Sequence, residues 1–127
     1  MKHTDILVIN PGSTTTKIAV FRDMKVLFEE TITHDPAKLK EMGDIFGQME
    51  FREELIRETL RERGYDVKDL SATVGRGGMI VGLCGGGYKV TPELCQAMRN
   101  PDNPPHASSM GAELAYNIAR PLGIPSF

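Results

Sequence analysis

Near the amino terminus, Asn10-Pro11-Gly12-Ser13-Thr14-Thr15-Thr16-Lys17 lies between two apolar, β-branched stretches. Within eight residues it gathers an amide, four hydroxyls and a lysine. Glycine lets a backbone approach a ligand closely, while hydroxyls and free N–H groups can donate to phosphate oxygens. Lys17 supplies a positive charge. A Walker-type loop does not fit, because no glycine precedes Lys17 and a β-branched stretch, not a helix, follows it. Composition alone also accommodates a plain hairpin whose Ser and Thr are solvated strand formers.

Two further stretches carry side chains with chemistry. Gly75-Arg76-Gly77-Gly78, continuing to Gly85-Gly86-Gly87-Tyr88, sets one arginine among residues without side chains. Its guanidinium is a planar fork for a carboxylate or phosphate; a surface arginine in a flexible loop would read the same way. Tyr88 and the glycines are expected to shape the loop. In Pro104-Pro105-His106-Ala107-Ser108-Ser109-Met110-Gly111, His106 stands just ahead of a helix. There it can donate to an anion, cap the helix together with its hydroxyl neighbours, or pack. His3 and His34 carry no motif and are expected at the surface.

Together these stretches resemble the acetate and butyrate kinases, within the larger sugar kinase, actin and chaperone ATPase superfamily. DILVINPGSTTTKIAVF is similar to the opening of that family, and its Asn-Pro-Gly-Ser-Thr wording to the butyrate branch. VGRGGMIVGLCGGGYKVTPEL resembles the family's arginine segment, and HASSMGAELAYNIARPLGIPSF its histidine helix, with Ser109 standing where asparagine is common. The resemblance implies a ribonuclease H-like fold and reversible phosphoryl transfer from ATP to butyrate or a related short-chain carboxylate, giving ADP and an acyl phosphate. It places Asn10, Gly12, Ser13, Thr15 and Lys17 around the phosphoryl group, with Asn10 reaching magnesium indirectly. Arg76 holds the acyl carboxylate, and His106 is an active-site neighbour. Magnesium then meets the protein largely through nucleotide phosphates and waters, and the adenosine site of ATP/ADP lies outside this chain. Family members are much longer, so residues 1–127 are expected to form a single amino-terminal domain, truncated at its last strand and inactive alone. A non-catalytic phosphate-ligand-binding or interaction module, or a truncated remnant, is the alternative. The family's habit implies a homodimer, and an incomplete sheet edge offers a second route to association.

The elements that must position these residues follow from hydrophobic periodicity. Asp5–Asn10, Lys17–Arg22 and Lys25–Thr33 read as strands, and their short links make them antiparallel neighbours. His34-Asp35-Pro36 breaks the pattern, with Pro36 suited to a first helical turn. From Phe46 to Arg63, the residues Phe51, Leu55, Ile56 and Leu60 share a helical face, Glu53 sits one turn before Arg57, and Gly64 stops the helix. Leu70–Gly75 reads as a fourth strand. Thr91-Pro92-Glu93 starts a helix, and Ala107 to Arg120 forms another, with Met110, Leu114 and Ile118 inward and Gly123 at its end. Ile124–Phe127 begins a strand. The order β-β-β-α-β-α-α-β predicts an α/β fold with a mixed sheet and flanking helices.

Composition narrows the partners. A net charge of −2 argues against a nucleic-acid partner recruited by bulk electrostatics. No apolar run approaches the roughly 20 residues of a membrane span. Cys84 and Cys95 have no histidine at metal-ligand spacing; two cysteines allow a disulfide by count, but no signal peptide points to an oxidising compartment. A reduced, cytoplasmic protein is the expectation.

Overall fold

The fold is seen in a computed structural model that describes residues 3–127. Strands β1 (Asp5–Pro11), β2 (Thr15–Arg22) and β3 (Lys25–Thr33) form an antiparallel meander, as their short links demand. A helical crossover then returns the chain to β4 (Ala72–Gly75), which pairs in parallel with β1. The sheet order is β3-β2-β1-β4, the mixed sheet expected. Asp23, in the two-residue link between β2 and β3, takes a positive φ of 57°, and its carboxylate accepts the Thr4 N–H at 3.1 Å.

Among the described residues there are four α-helices, α1 (Pro36–Lys40), α2 (Met49–Glu62), α3 (Pro92–Met98) and α4 (Gly111–Ala119), of which α2 and α4 pack on the sheet. Each start has a local cause. Asp35 caps α1 by accepting from the Ala37 N–H, and Thr91 caps α3 by accepting from the Leu94 N–H, with a proline at the first helical position of both. The expected helix from Phe46 begins its α-helical part only at Met49, because Asp44 captures the Gly47 N–H and forces a preceding 3-10 turn. The expected helix from Ala107 likewise opens as a 3-10 turn, Ala107–Met110, before α4.

One face of the sheet carries the core. Leu7, Ile9, Ile18 and Val20 meet Ile56 and Leu60 of α2 and Leu114 and Ile118 of α4, all at most 1% exposed. Each such side chain contributes about 1.5–3 kcal/mol by leaving water. Met110 is buried as expected, whereas Phe51 and Leu55 are only half-buried. The Glu53–Arg57 pair forms at 3.1 Å. Both cysteines are free, Cys84 exposed and Cys95 buried, where burial pushes its thiol up to about 11. Among the described residues no helix is long and apolar enough to cross a membrane. At the far end, the expected strand is reduced to a single parallel bridge between Ser126 and Thr73 on the outer edge of β4.

Candidate functional site

Strands β1 and β4 run in the same direction and end together. The Arg76 N–H donates to the Ile9 carbonyl at 2.8 Å, so the first loop and the arginine loop leave the sheet side by side. Open α/β sheets gather ligands at such carboxyl ends of adjacent parallel strands.

The first loop is a tight turn closed by the Gly12 N–H donating to the Thr15 carbonyl at 2.7 Å. That bond uses the Gly12 amide, so Gly12 gives the loop its shape and not a free donor. Ser13 and Thr14 are exposed at the tip, and Thr15 is half-buried. Lys17 lies inside β2, exposed, directly across the ladder from Asn10. Because side chains alternate along a strand, Asn10 and Lys17 share with Val8 the sheet face turned away from α2 and the main core.

On that face, beneath residues 76–90, opens a cavity of about 660 Å³. Small-molecule sites occupy about 300–1,000 Å³. Val8 and Val74 line it from the sheet and Val90, Leu94 and Met98 from the α3 side, while Arg76 is the one charged side chain among its lining residues. An apolar hollow with one guanidinium suits a small amphiphilic anion.

The arginine loop is pinned by two close approaches. A side chain on Gly75 would occupy the space of the Gly111 carbonyl. Gly77 has a φ of 93°, and a Cβ there would come within 2.6 Å of the Ser108 Cβ. The loop therefore rests directly on the segment that begins with His106. Ser108 Oγ accepts the Gly78 N–H at 3.2 Å and donates to His106 Nδ1 at 2.7 Å, while the Ser108 N–H also reaches Nδ1 at 3.1 Å. With Nδ1 accepting from a backbone amide, the neutral ring carries its proton on Nε2 and presents it outward from an exposed side chain. His106 is thus a helix cap with a donor to spare. Ser109 is buried, and its hydroxyl has no partner among the described residues.

One expectation is overturned. His34 is not a surface residue: it is 4% exposed, its Nε2 lies 2.7 Å from Thr16 Oγ1, and its ring packs on Phe51 at 5.4 Å. The ring follows β3 just where that strand meets the first loop, so tertiary contact buries a side chain that no motif marks. His3, by contrast, is exposed beside Asp23. Sequence reasoning also passed over Arg52, fully buried beneath the first loop. Its signal was the register itself: Arg52 precedes Ile56 and Leu60 at four-residue intervals, an arginine on the inward stripe of α2.

The chain is similar to proteins described as probable butyrate kinases. It is 45% identical over 123 residues to one from Listeria monocytogenes and 43% identical over 122 residues to one from Clostridium botulinum, covering 97% and 96% of this chain. The same matches cover 35% and 34% of those proteins, so the chain spans about a third of the length of these relatives. It is homologous to their amino-terminal portion. No protein-family model matches the chain.

Proposed function

We propose, with homology to the amino-terminal portion of probable butyrate kinases as the premise, that this chain supplies the phosphate and acyl side of a site for ATP-dependent phosphorylation of butyrate or a related short-chain carboxylate. The sheet and flanking helices are then the amino-terminal part of a ribonuclease H-like kinase fold, a single domain spanning 1–127. In the reaction a carboxylate oxygen attacks the γ-phosphorus, the bond from that phosphorus to the bridging oxygen breaks, and ADP leaves with the electron pair. Such transfer asks for positioning and charge neutralisation more than for covalent chemistry from the protein.

The observation that carries this reading is the apolar cavity with Arg76 as its one charged lining side chain, Arg76 being bonded through its N–H to the end of β1, from which the first loop leaves. The acyl chain occupies the hollow between Val8, Val74 and Met98, and Arg76 holds the carboxylate. Asn10, Ser13, Thr15 and Lys17 face the phosphoryl group, with Gly12 setting the turn. His106 donates from Nε2 to a phosphoryl or acyl oxygen. Among the described residues no group of three His, Cys, Asp or Glu side chains is placed to hold a metal ion. Magnesium fits here only as a partner of the nucleotide phosphates, with Asn10 reaching it through water. The adenosine is bound by protein that this chain does not contain, and the 127 residues alone bind acyl phosphate without turnover.

Titration calorimetry with butyryl phosphate tests the reading. Wild-type protein should bind, and Arg76→Ala should weaken binding by about tenfold or more, the loss that a hydrogen bond to a charged group carries. Hydroxylamine trapping with butyrate, ATP and magnesium should detect no acyl phosphate from the chain alone. Equal affinity in Arg76→Ala would remove Arg76 from the acyl site, and turnover by the isolated chain would overturn its assignment as one side only.

A further inference from the structure

Arg52 is fully buried, and every acceptor it reaches is neutral. Nε and one terminal nitrogen donate to Gln48 Oε1 at 3.1 and 2.9 Å, one turn earlier on the same helix. The other contacts all go to the first loop: to the Thr15 carbonyl at 2.8 Å, Thr16 Oγ1 at 3.0 Å and the Ser13 carbonyl at 3.3 Å. The remaining carbonyl of the turn, that of Thr14, accepts the His34 N–H at 2.8 Å. Three consecutive carbonyls are thereby occupied by donors from the protein itself. The N–H groups of Ser13 and Thr14 make no hydrogen bond among the described residues, and both residues are exposed, with their hydroxyls beside them. A turn whose carbonyls are taken up and whose N–H groups are free offers donors to an anion.

We infer that Arg52 is the positioning residue of the first loop: its guanidinium fork sets the loop in the shape that offers N–H groups to a phosphoryl oxygen, and its uncompensated charge behind the loop favours an anion in front. This rests on reading the loop as phosphate-facing. Arg52 itself touches no ligand. A lysine cannot replace it, because one ammonium on a flexible stem lacks the planar fork that reaches Gln48, Thr16 and two carbonyls together.

The test uses the whole chain labelled with ¹⁵N, as wild type, Arg52→Lys and Arg52→Met, with Arg57→Met as a control on the same helix. Hydrogen exchange is followed at Gly12, whose N–H closes the turn, and at ladder amides such as Val20. In Arg52→Lys, Gly12 should exchange about ten- to a hundredfold faster while the ladder amides stay within about twofold, since only the loop's anchor is lost. Arg57→Met should leave Gly12 unchanged. Protection of Gly12 undiminished in Arg52→Lys, or lost equally at every amide, would overturn the inference. Should neither Arg52 variant fold, the Nε–H of Arg52 in wild type decides: exchange as slow as the core supports the anchor, and fast exchange refutes it. Titration with inorganic phosphate separates this from the parent reading. Ser13 and Thr14 amides should shift in wild type and need about tenfold more phosphate in Arg52→Lys. Silent amides in wild type would sink the phosphate-facing loop, whereas the exchange result judges Arg52 by itself.

Discussion

His34 is a buried ring bonded to a hydroxyl that also takes a bond from Arg52. Thr16 Oγ1 accepts from Arg52 at 3.0 Å and lies 2.7 Å from His34 Nε2. Nδ1 has no partner among the described residues. Protonating the ring would place a second buried cation on the oxygen that Arg52 already reaches. Burial, then the nearby Arg52 charge, accordingly lowers the His34 pKa. In the unfolded chain this histidine takes up a proton near its ordinary value of about 6.5; in the folded chain it does so only at lower pH. Stability is therefore complete above about pH 6.5 and is lost as pH falls from there toward the lowered folded value. Asp5, held below the usual carboxylate range first by its bond from Arg22, adds acid sensitivity only further down. Urea midpoints at about pH 7.5 and about pH 5.5 should thus differ in wild type, with the lower pH less stable. His34→Gln, which keeps an acceptor for Thr16 and cannot titrate, should lose that part of the difference; an equal fall in both proteins would show the ring to be uninvolved. None of this was legible in the sequence, where His34 belongs to no pattern. The contacts that bury it come from residues 16 and 51, which only the fold assembles.

At the level of elements, the crossing of β4 and α4 decides where Arg76 stands. Thr73 Oγ1 donates to the Ala115 carbonyl at 2.7 Å, and one turn earlier the helix begins against Gly75 with no room for a side chain between them. From sequence, the glycines around Arg76 read as spacers that leave it exposed. That holds for Gly85, where an added Cβ would meet nothing within 4 Å, but not for Gly75, which meets backbone on α4. Backbone cannot rotate away as a side chain can. Gly75→Ala should therefore destabilise the protein by about 3 kcal/mol, at the upper end of overpacking costs, because β4 and α4 must separate. Gly85→Ala should change stability by no more than about 0.5 kcal/mol. Urea unfolding of both variants checks the pair, and similar stabilities would remove the crossing as the determinant of the arginine's place. The element types themselves were readable, since strand alternation and helical stripes repeat over many residues. Their starts were less so: Asp44 and His106 each take a backbone N–H into a cap and convert the first turn to 3-10 geometry, displacing the α-helix to Met49 and Gly111.

Over the whole molecule, the layered α/β arrangement was legible because the links in the meander are short and a helix must cover the face that Leu7, Ile9, Ile18 and Val20 share. The cavity was not, since it is closed by residues as far apart as Val8, Val90 and Phe127, which no periodicity connects. The last residues are the element that completes it. On the outer edge of β4 the Thr73 N–H donates to the Pro125 carbonyl at 3.1 Å, Phe127 N–H to Thr73 at 2.9 Å, and Gly75 N–H to Phe127 at 2.8 Å. On their other side the Val90 N–H donates to the Ser126 carbonyl at 2.8 Å. Residues 125–127 thus tie β4 to the entrance of α3, and Val90 is the first buried residue after a fully exposed run from 81 to 89. That run depends on its two anchors, Gly77–Gly78 against Ser108 and Val90 against Ser126. Deleting residues 125–127 removes four backbone hydrogen bonds at once, each worth about 1 kcal/mol, and should open the run while leaving the meander intact. Cleavage by thermolysin at Val81 or Leu83 should then accelerate about tenfold or more, because proteolysis of a locally opened segment follows its open population. Exchange at ladder amides of β1 and β2 should stay protected. Butyryl phosphate binding should fall in parallel with the cleavage, since the same segment roofs the hollow beside Arg76. Cleavage at the wild-type rate would mean that the roof is held by Ser108 alone and that the chain's last residues have no part in forming the cavity.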